Sequence, residues 1–257
     1  MQNHVISLTT ATDRRQHIIQ EFTKQNIPFK FYDAITVSQL TEVSKALGLR
    51  LAESERLSPI EKACFLSHVC LWQKIIDDNL EYMSIFEDDI YLGENANNFL
   101  TDNQWILDNL IDMDIIKLET AFEKIHLDKA SISYKDRCVS RLRSSHTGTA
   151  AYIISKKAAI TLLQHVRSLS ANDYIAIDHL IFGKLLNITC VYQLSPALSI
   201  QSTILEPENP TLESDISKAR SAHNSNMLKN PRELNHFFKK IKRSIGKRMF
   251  YTIVPFD

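Results

Sequence analysis

Short hydrophobic strands alternate with helical stretches from residue 4 to residue 194, and this alternation constrains the fold more than any single motif. Runs at 4–8 (HVISL), 28–33 (PFKFYD), 82–86 (YMSIF), 114–118 (DIIKL), 149–154 (TAAYII) and 188–194 (ITCVYQL) read as strands. Helices are predicted between them. One follows a cap at Thr12 or Asp13, with Ile18, Ile19 and Phe22 on one face. Others run from Ser58 to about Asp77, from about Ser155 to Val166, and over 177–186. The helix at Ser58 has the strongest start signal: Ser58 suits the N-cap, Pro59 the first turn, and Glu61 the third position of a capping box. Ile60, Cys64, Phe65, Leu71, Trp72, Ile75 and Ile76 can supply its buried face. The order predicts an α/β layer fold with a mainly parallel central sheet, which binds ligands beyond the carboxyl ends of its strands.

Composition bounds the function. Lys+Arg and Asp+Glu both number 30, which disfavours a generally basic nucleic-acid binder and leaves only a local basic patch open. Hydrophobic residues make up 44% of the 257, enough for a sizeable core. The four cysteines form no CxxC pair, so reduced and mostly buried thiols are expected rather than a structural zinc site or a disulfide scaffold. The opening MQNHVISLTTATDRR lacks the features of a signal peptide. No run of about 18 apolar residues could span a bilayer. Both features predict a cytoplasmic protein. Residues 1–204 read as the catalytic domain, and 205–257 as an irregular excursion followed by a basic tail that can form a helix. In that helix Phe237, Phe238, Ile241, Ile245, Met249 and Thr252 would share one side. Lys239, Lys240, Lys242, Arg243 and Lys247 would lie opposite, with Arg248 as the exception. Such a helix suits the anionic inner face of the cytoplasmic membrane; it equally suits packing on the core or on a second subunit.

Glu87-Asp88-Asp89 is the triplet with the most chemical content. Carboxylates crowded at a strand end repel one another unless a cation or hydrogen-bond donors sit nearby. Mg²⁺ or Mn²⁺ accepts such oxygens and bridges to phosphate. A solvated acidic loop is the plainer reading of three acids in a row. Ser67-His68, inside an apolar helix, reads from pattern alone as a hydrogen-bonded core pair. His146-Thr147-Gly148-Thr149-Ala150 is a small polar turn that either lets a sugar or phosphate approach the backbone or is an ordinary loop. Asp178, near a helix start, is by itself a dipole-friendly first-turn acid.

The stretch SPIEKACFLSHVCLWQKIIDDNLEYMSIFEDD at 58–89 resembles glycosyltransferase family 25, which includes bacterial lipooligosaccharide transferases and collagen galactosyltransferases. The resemblance rests on Glu61, Cys64, Leu66-Ser67-His68, Trp72 and Phe86-Glu87-Asp88-Asp89 in the family's order and spacing. It continues through IIKLE at 115–119, GTAAYIIS at 148–155 and IDHLIF at 177–182. The opening VISLTTATDRR is similar to the family's first strand and loop, and the whole match covers about 4–202. Two departures stand out. Lys62-Ala63 replaces Ile-Gly or similar before Cys64, and His179 replaces a carboxylate common beside the Asp in collagen-type members.

The resemblance implies a GT-A-type nucleotide-sugar-binding fold. It implies inverting transfer of galactose or glucose from a UDP-sugar to a lipooligosaccharide or lipopolysaccharide core acceptor, with Mn²⁺ or Mg²⁺ as cofactor. Asp89 and Glu87 become metal candidates. Thr9, Arg14, Ser67, His68, Asp88, Gly148 and Thr149 become candidates for the nucleotide-sugar. Asp178 becomes the first candidate base or a third metal ligand, with Glu119 in reserve. Two rivals use the same residues: a metal-dependent nucleotide-sugar phosphohydrolase, and a non-catalytic sugar-binding module.

Overall fold

The computed structural model describes residues 1–109, 113–130, 132–208, 211–212 and 251–257. In chain order its elements begin with β1 (Gln2–Ser7), α1 (Thr12–Lys24), β2 (Lys30–Asp33), α2 (Leu40–Ala46), α3 (Pro59–Asp77), β3 (Tyr82–Glu87) and β4 (Ile90–Leu92). There follow α4 (Asn97–Leu100), α5 (Gln104–Asn109), β5 (Ile115–Lys117), β6 (Glu119–Thr120), β7 (Lys124–His126), β8 (Ile132–Tyr134) and β9 (Arg137–Arg141). The remainder are β10 (Ala151–Ser155), α6 (Lys156–Ser168), α7 (Ile177–His179), β11 (Val191–Ser195), β12 (Ser199–Gln201), α8 (Ser202–Leu205) and β13 (Tyr251–Ile253).

The central sheet has eight strands in the order β2-β1-β3-β10-β5-β11-β9-β8. Six of them run in one direction, and only β10 and β9 run against it. The mainly parallel α/β reading therefore holds. The reversal of β10 has a consequence for the site. Its beginning, not its end, lies at the edge where β1, β3 and β5 finish, so the turn before β10 arrives at the ligand edge. A three-stranded sheet, β4-β12-β6, extends the molecule on that side.

Alternation along the strands divides the interior into two cores. Ile6, Met83, Ile85, Ile115, Tyr152 and Ile154 face α3 and α6, where they meet Phe65, Trp72, Ile75, Leu162 and Val166. Val5, Phe86, Ile116, Ala151 and Ile153 face the other way, toward Ile18 and Phe22 of α1 and Phe99, Trp105 and Ile106 of α4 and α5. Each buried aliphatic or aromatic side chain contributes about 1.5–3 kcal/mol.

The capping box at α3 forms as expected. Glu61 N donates to Ser58 Oγ at 3.3 Å, and Ser58 N donates to Glu61 Oε2 at 3.0 Å. Ser58→Ala should cost about 1 kcal/mol and lower Tm by about 2–4 °C in a chain of this size. Thermal unfolding checks this, and an unchanged Tm would contradict it. Other details differ from expectation. The N-cap of α1 is Ala11, with no side-chain cap, so neither Thr12 nor Asp13 caps it. Ile19 is 40% exposed and Ile60 38%, because only one stripe of each helix faces a core. The last predicted helix is helical at α7 and then widens into a π-helical turn at Leu180–Lys184. The four thiols form no disulfide but are half-buried rather than buried.

Residues 236–250 of the proposed basic helix lie outside the described residues. Its last member, Thr252, does not: it sits in β13, paired antiparallel with β7. Val254 is buried in the α3-side core, and Ala197 N donates to Pro255 O at 2.7 Å. At the other end of the excursion, Leu212 N donates to Ser202 Oγ at 3.1 Å. Leu212 and residues 251–257 therefore both contact the body formed by residues 1–204. Among the described residues, no helix is long and apolar enough to cross a membrane.

Candidate active site

A cleft of about 420 Å³ opens beyond the carboxyl ends of β1 and β3. One wall is the loop after β1, including Ser7, Leu8, Thr10, Ala11 and the first turns of α1 with Arg14. A second is the segment after β2, Ala34 to Val37, and a third the first half of α3 with Ile60, Ala63, Cys64 and Ser67. Glu87, Asp88 and Asp89 form the floor. The strand-end rule thus brings Arg14, Ser67 and the acidic triplet together from three separate segments. Thr9 is exposed and is not among the lining residues; its neighbours Leu8 and Thr10 take that place.

The three acids have different surroundings. Asp88 Oδ1 accepts from Arg14 Nη1 at 2.5 Å, an ion pair across the cleft. Glu87 Oε1 accepts from Thr149 Oγ1 at 2.9 Å and from His68 Nε2 at 3.3 Å. Burial alone would raise the Glu87 carboxyl; the His68 bond and charge, with the Thr149 bond, outweigh it and hold it below its ordinary value. Asp89 is 3% exposed, and among the described residues its carboxylate accepts long bonds, 3.3 and 3.4 Å, from Gln201 Nε2 alone. Burial first and the Glu87 charge second push its carboxyl up to about 7. The triplet is therefore short of positive charge at Asp89, not a solvated loop.

His68 is fully buried on α3 and is held from behind. A carboxylate only accepts, so Nε2 of the ring donates to Glu87, while Nδ1 is hydrogen-bonded to Tyr152 Oη at 3.0 Å. Trp72 Nε1 donates to the same hydroxyl at 3.0 Å. Ser67 does more than pack: its hydroxyl donates to Ala63 O and accepts from Ile35 N, both at 2.9 Å, pinning the wall after β2 to α3.

The turn before β10 lies behind Glu87, which Thr149 reaches, and His68, Gly148, Thr149 and Asp178 are not among the residues lining the cleft. Gly148 N donates to Asp178 Oδ2 at 3.1 Å, and His179 N donates to Asp178 Oδ1 at 2.8 Å. Below the turn, Lys117 is fully buried, with its Nζ donating to Glu119 Oε1 at 2.9 Å and to Gly148 O at 2.6 Å. Lys117 also lies 4.1 Å over the Phe182 ring. Glu119 Oε1 also accepts from Ala150 N at 2.8 Å. Burial raises the Glu119 carboxyl, against the pull of Lys117. Glu119 is 1% exposed and faces this turn, not the cleft. Sequence reasoning passed over Lys117, Tyr152 and Gln201. The lysine inside the apolar run IIKLE was the one available signal, since an unpaired lysine there would be costly.

Gly148 has φ +83°, and a Cβ there would meet Glu119 Oε2 at 2.7 Å. Gly148→Ala should therefore destabilise the protein by at least about 1–2 kcal/mol from backbone handedness alone, and should depress activity by shifting the Asp178 partner. Urea unfolding with an activity assay checks this, and a neutral variant would contradict it.

The family model described as glycosyltransferase family 25 (LPS biosynthesis protein) matches residues 1–181. The chain belongs to glycosyltransferase family 25. The chain is 39% identical to the lipooligosaccharide biosynthesis protein lic2B of Haemophilus influenzae, over 99% of this chain and 98% of that protein. It is 38% identical to the lacto-N-neotetraose biosynthesis glycosyltransferase LgtE of Neisseria meningitidis serogroup B, over 96% and 90%. A solved glycosyltransferase involved in glycosylation of the major capsid of PBCV-1 aligns over 87% of this chain and 98% of its own, with 8% identity and a TM-score of 0.42. This family 25 chain is accordingly an enzyme, a glycosyltransferase.

Proposed function

We propose that this enzyme transfers galactose or glucose from a UDP-sugar to a lipooligosaccharide core acceptor, with inversion at the sugar carbon and with Mn²⁺ or Mg²⁺ bound. The observation that carries the reading is the buried acidic floor of the cleft, where Asp89 makes no ion pair among the described residues and Arg14, paired with Asp88, stands near it. An oxygen-rich, charge-deficient set of this kind fits a hard divalent cation. Glu87 and Asp89 would hold it, with Asp178 as the third candidate. When bound, the ion offsets charge on the departing diphosphate.

The chain's own groups do the rest. Arg14, oriented by Asp88, presents guanidinium N–H groups to a phosphate. Exposed Leu8, Val37 and Ile60 give the cleft an apolar side suited to the flat face of a base. Thr149 and His68 fix the Glu87 carboxylate. Asp178, aimed by the Gly148 and His179 amides, takes the proton from the acceptor hydroxyl as it attacks. Glu119, with Lys117, clamps the turn that aims Asp178. The GT-A reading agrees with ligand binding at the ends of a mainly parallel sheet.

The lipooligosaccharide acceptor is drawn from the names of the relatives. A glycolipid acceptor fits an enzyme working in the cytoplasm against the inner face of the membrane, with the basic residues near 239–248 meeting anionic lipid. Truncation after Pro231 would also remove β13 and Val254, so charge-removing substitutions at Lys239, Lys240, Lys242 and Arg243 are the sound test. In liposome co-sedimentation the unmodified chain should bind anionic vesicles in a salt-sensitive way and the substituted chain should not. Equal behaviour of the two would remove the membrane contact.

Incubation with UDP-galactose or UDP-glucose, with and without truncated lipooligosaccharide, tests the central reading. Sugar should appear on the acceptor. A phosphohydrolase would consume the donor without acceptor, and a binding module would leave it intact.

A further inference from the structure

The floor of the cleft holds a second donor set of different chemical character. Cys64 and His68 lie four residues apart on α3, so they share one face of the helix. That face meets Glu87 at the end of β3. One donor atom from each of the three residues lies within 4.8 Å of the other two. Cys64 and Glu87 both line the cleft, so a cation from solvent reaches them. His68 comes from the interior side, its ring already fixed by Tyr152, itself held by Trp72.

We propose that Cys64, His68 and Glu87 form a site for a thiophilic divalent cation, Zn²⁺ by its chemistry, distinct in ligand type from the all-oxygen set at Glu87, Asp89 and Asp178. Thiolate and imidazole select zinc over magnesium or manganese. An ion held at about 2.0–2.3 Å from each donor needs only small side-chain rotations to gather this set. Three protein ligands leave a fourth position, and here that position opens into the cleft. On binding, the Cys64 thiol gives up its proton to solvent. The metal-bound His68 ring keeps one proton, on Nδ1, and donates it as a hydrogen bond to Tyr152 Oη, which keeps the ring oriented as outer-sphere partners of metal-bound histidines do.

The site shares Glu87 with the oxygen set, so zinc there would compete with the catalytic cation for that carboxylate. Zinc would then be an antagonist of the catalytic cation, a consequence that rests on the proposed role of Glu87. The binding itself does not.

Spectroscopy on the reduced, chelator-stripped full chain tests the proposal without measuring turnover. Co²⁺ should give a thiolate-to-cobalt charge-transfer band that Zn²⁺ abolishes. Cys64→Ser should lose the band and weaken Co²⁺ binding by more than the roughly 10–100-fold typical of losing an outer-sphere partner. Cys70→Ser, on the same helix, should keep the band. In the unmodified chain Zn²⁺ should also protect Cys64 from alkylation, read by mass spectrometry, while leaving Cys138 and Cys190 reactive. Absence of the band in the unmodified chain, its survival in Cys64→Ser, or unprotected Cys64 at saturating Zn²⁺ would each overturn the proposal. None of these results bears on sugar transfer, so the transferase reading stands or falls separately.

Discussion

Asp178→Asn should lower kcat by about 10²–10⁴-fold, the range for losing a general base, while UDP affinity stays within a few-fold of the unmodified enzyme. The side chain accepts two backbone N–H bonds, from Gly148 and His179. The two bonds go to different oxygens, so the single amide oxygen of Asn keeps one of them and loses the other, a local cost of about 1–3 kcal/mol that the fold should survive. What Asn cannot do is take a proton. A group acting only on the proton in transit shows its loss in kcat rather than in ground-state binding. Steady-state kinetics beside calorimetric titration with UDP and Mn²⁺ separates the possibilities. Parallel loss of metal and UDP affinity would assign Asp178 to the metal instead. Near-normal kinetics would exclude both roles.

Lys117→Met should be among the most destabilising single substitutions in the chain, costing about 3–5 kcal/mol. Lys117 and Glu119 are both almost wholly buried, at 0% and 1% side-chain exposure. Removing the ammonium leaves a buried carboxylate uncompensated, and leaves Gly148 O without its 2.6 Å donor. The double variant Lys117→Met/Glu119→Leu should recover much of the loss, because an apolar pair of similar volume often replaces a buried ion pair at little cost. It should not recover all of it, since Gly148 O and Ala150 N remain unpaired, at about 1–3 kcal/mol for an unsatisfied buried group. Urea unfolding of the two single variants and the double variant measures the coupling. Additive losses would show that Lys117 and Glu119 do not act as a pair.

Much of this arrangement is local and was therefore legible in the sequence. The capping box of α3 lies within four residues, and YMSIF ahead of Glu87 carries its own strand signal. The collection of Arg14, Ser67 and the acidic triplet at one edge followed from strand direction. Three features were not legible. β4, β6 and β12 are two or three residues long, too short for periodicity to register. The direction of β10 depends on partners 30 or more residues away, yet it decides that Gly148 and Thr149 reach the site. The return of the chain through β13 to β7 is a pairing across more than a hundred residues, and Thr252, read from the sequence as part of a basic amphipathic helix, lies in that strand. Glu119 illustrates the same limit: its place after a strand suggested a base, but only the packed structure reveals Lys117 behind it.

The most direct test follows labelled hexose from a UDP-sugar onto truncated lipooligosaccharide, with the unmodified chain and Asp89→Asn, each with Mn²⁺ or with excess EDTA. Asp89 supplies the floor carboxylate pushed up to about 7 by burial and by Glu87, so it is the group most in need of a cation. The account predicts label on the acceptor only for the unmodified chain with Mn²⁺, and a folded Asp89→Asn protein with most turnover lost. Full transfer in excess EDTA, or by Asp89→Asn, would contradict the metal-assisted mechanism, and release of label from the donor without acceptor would contradict the transferase itself.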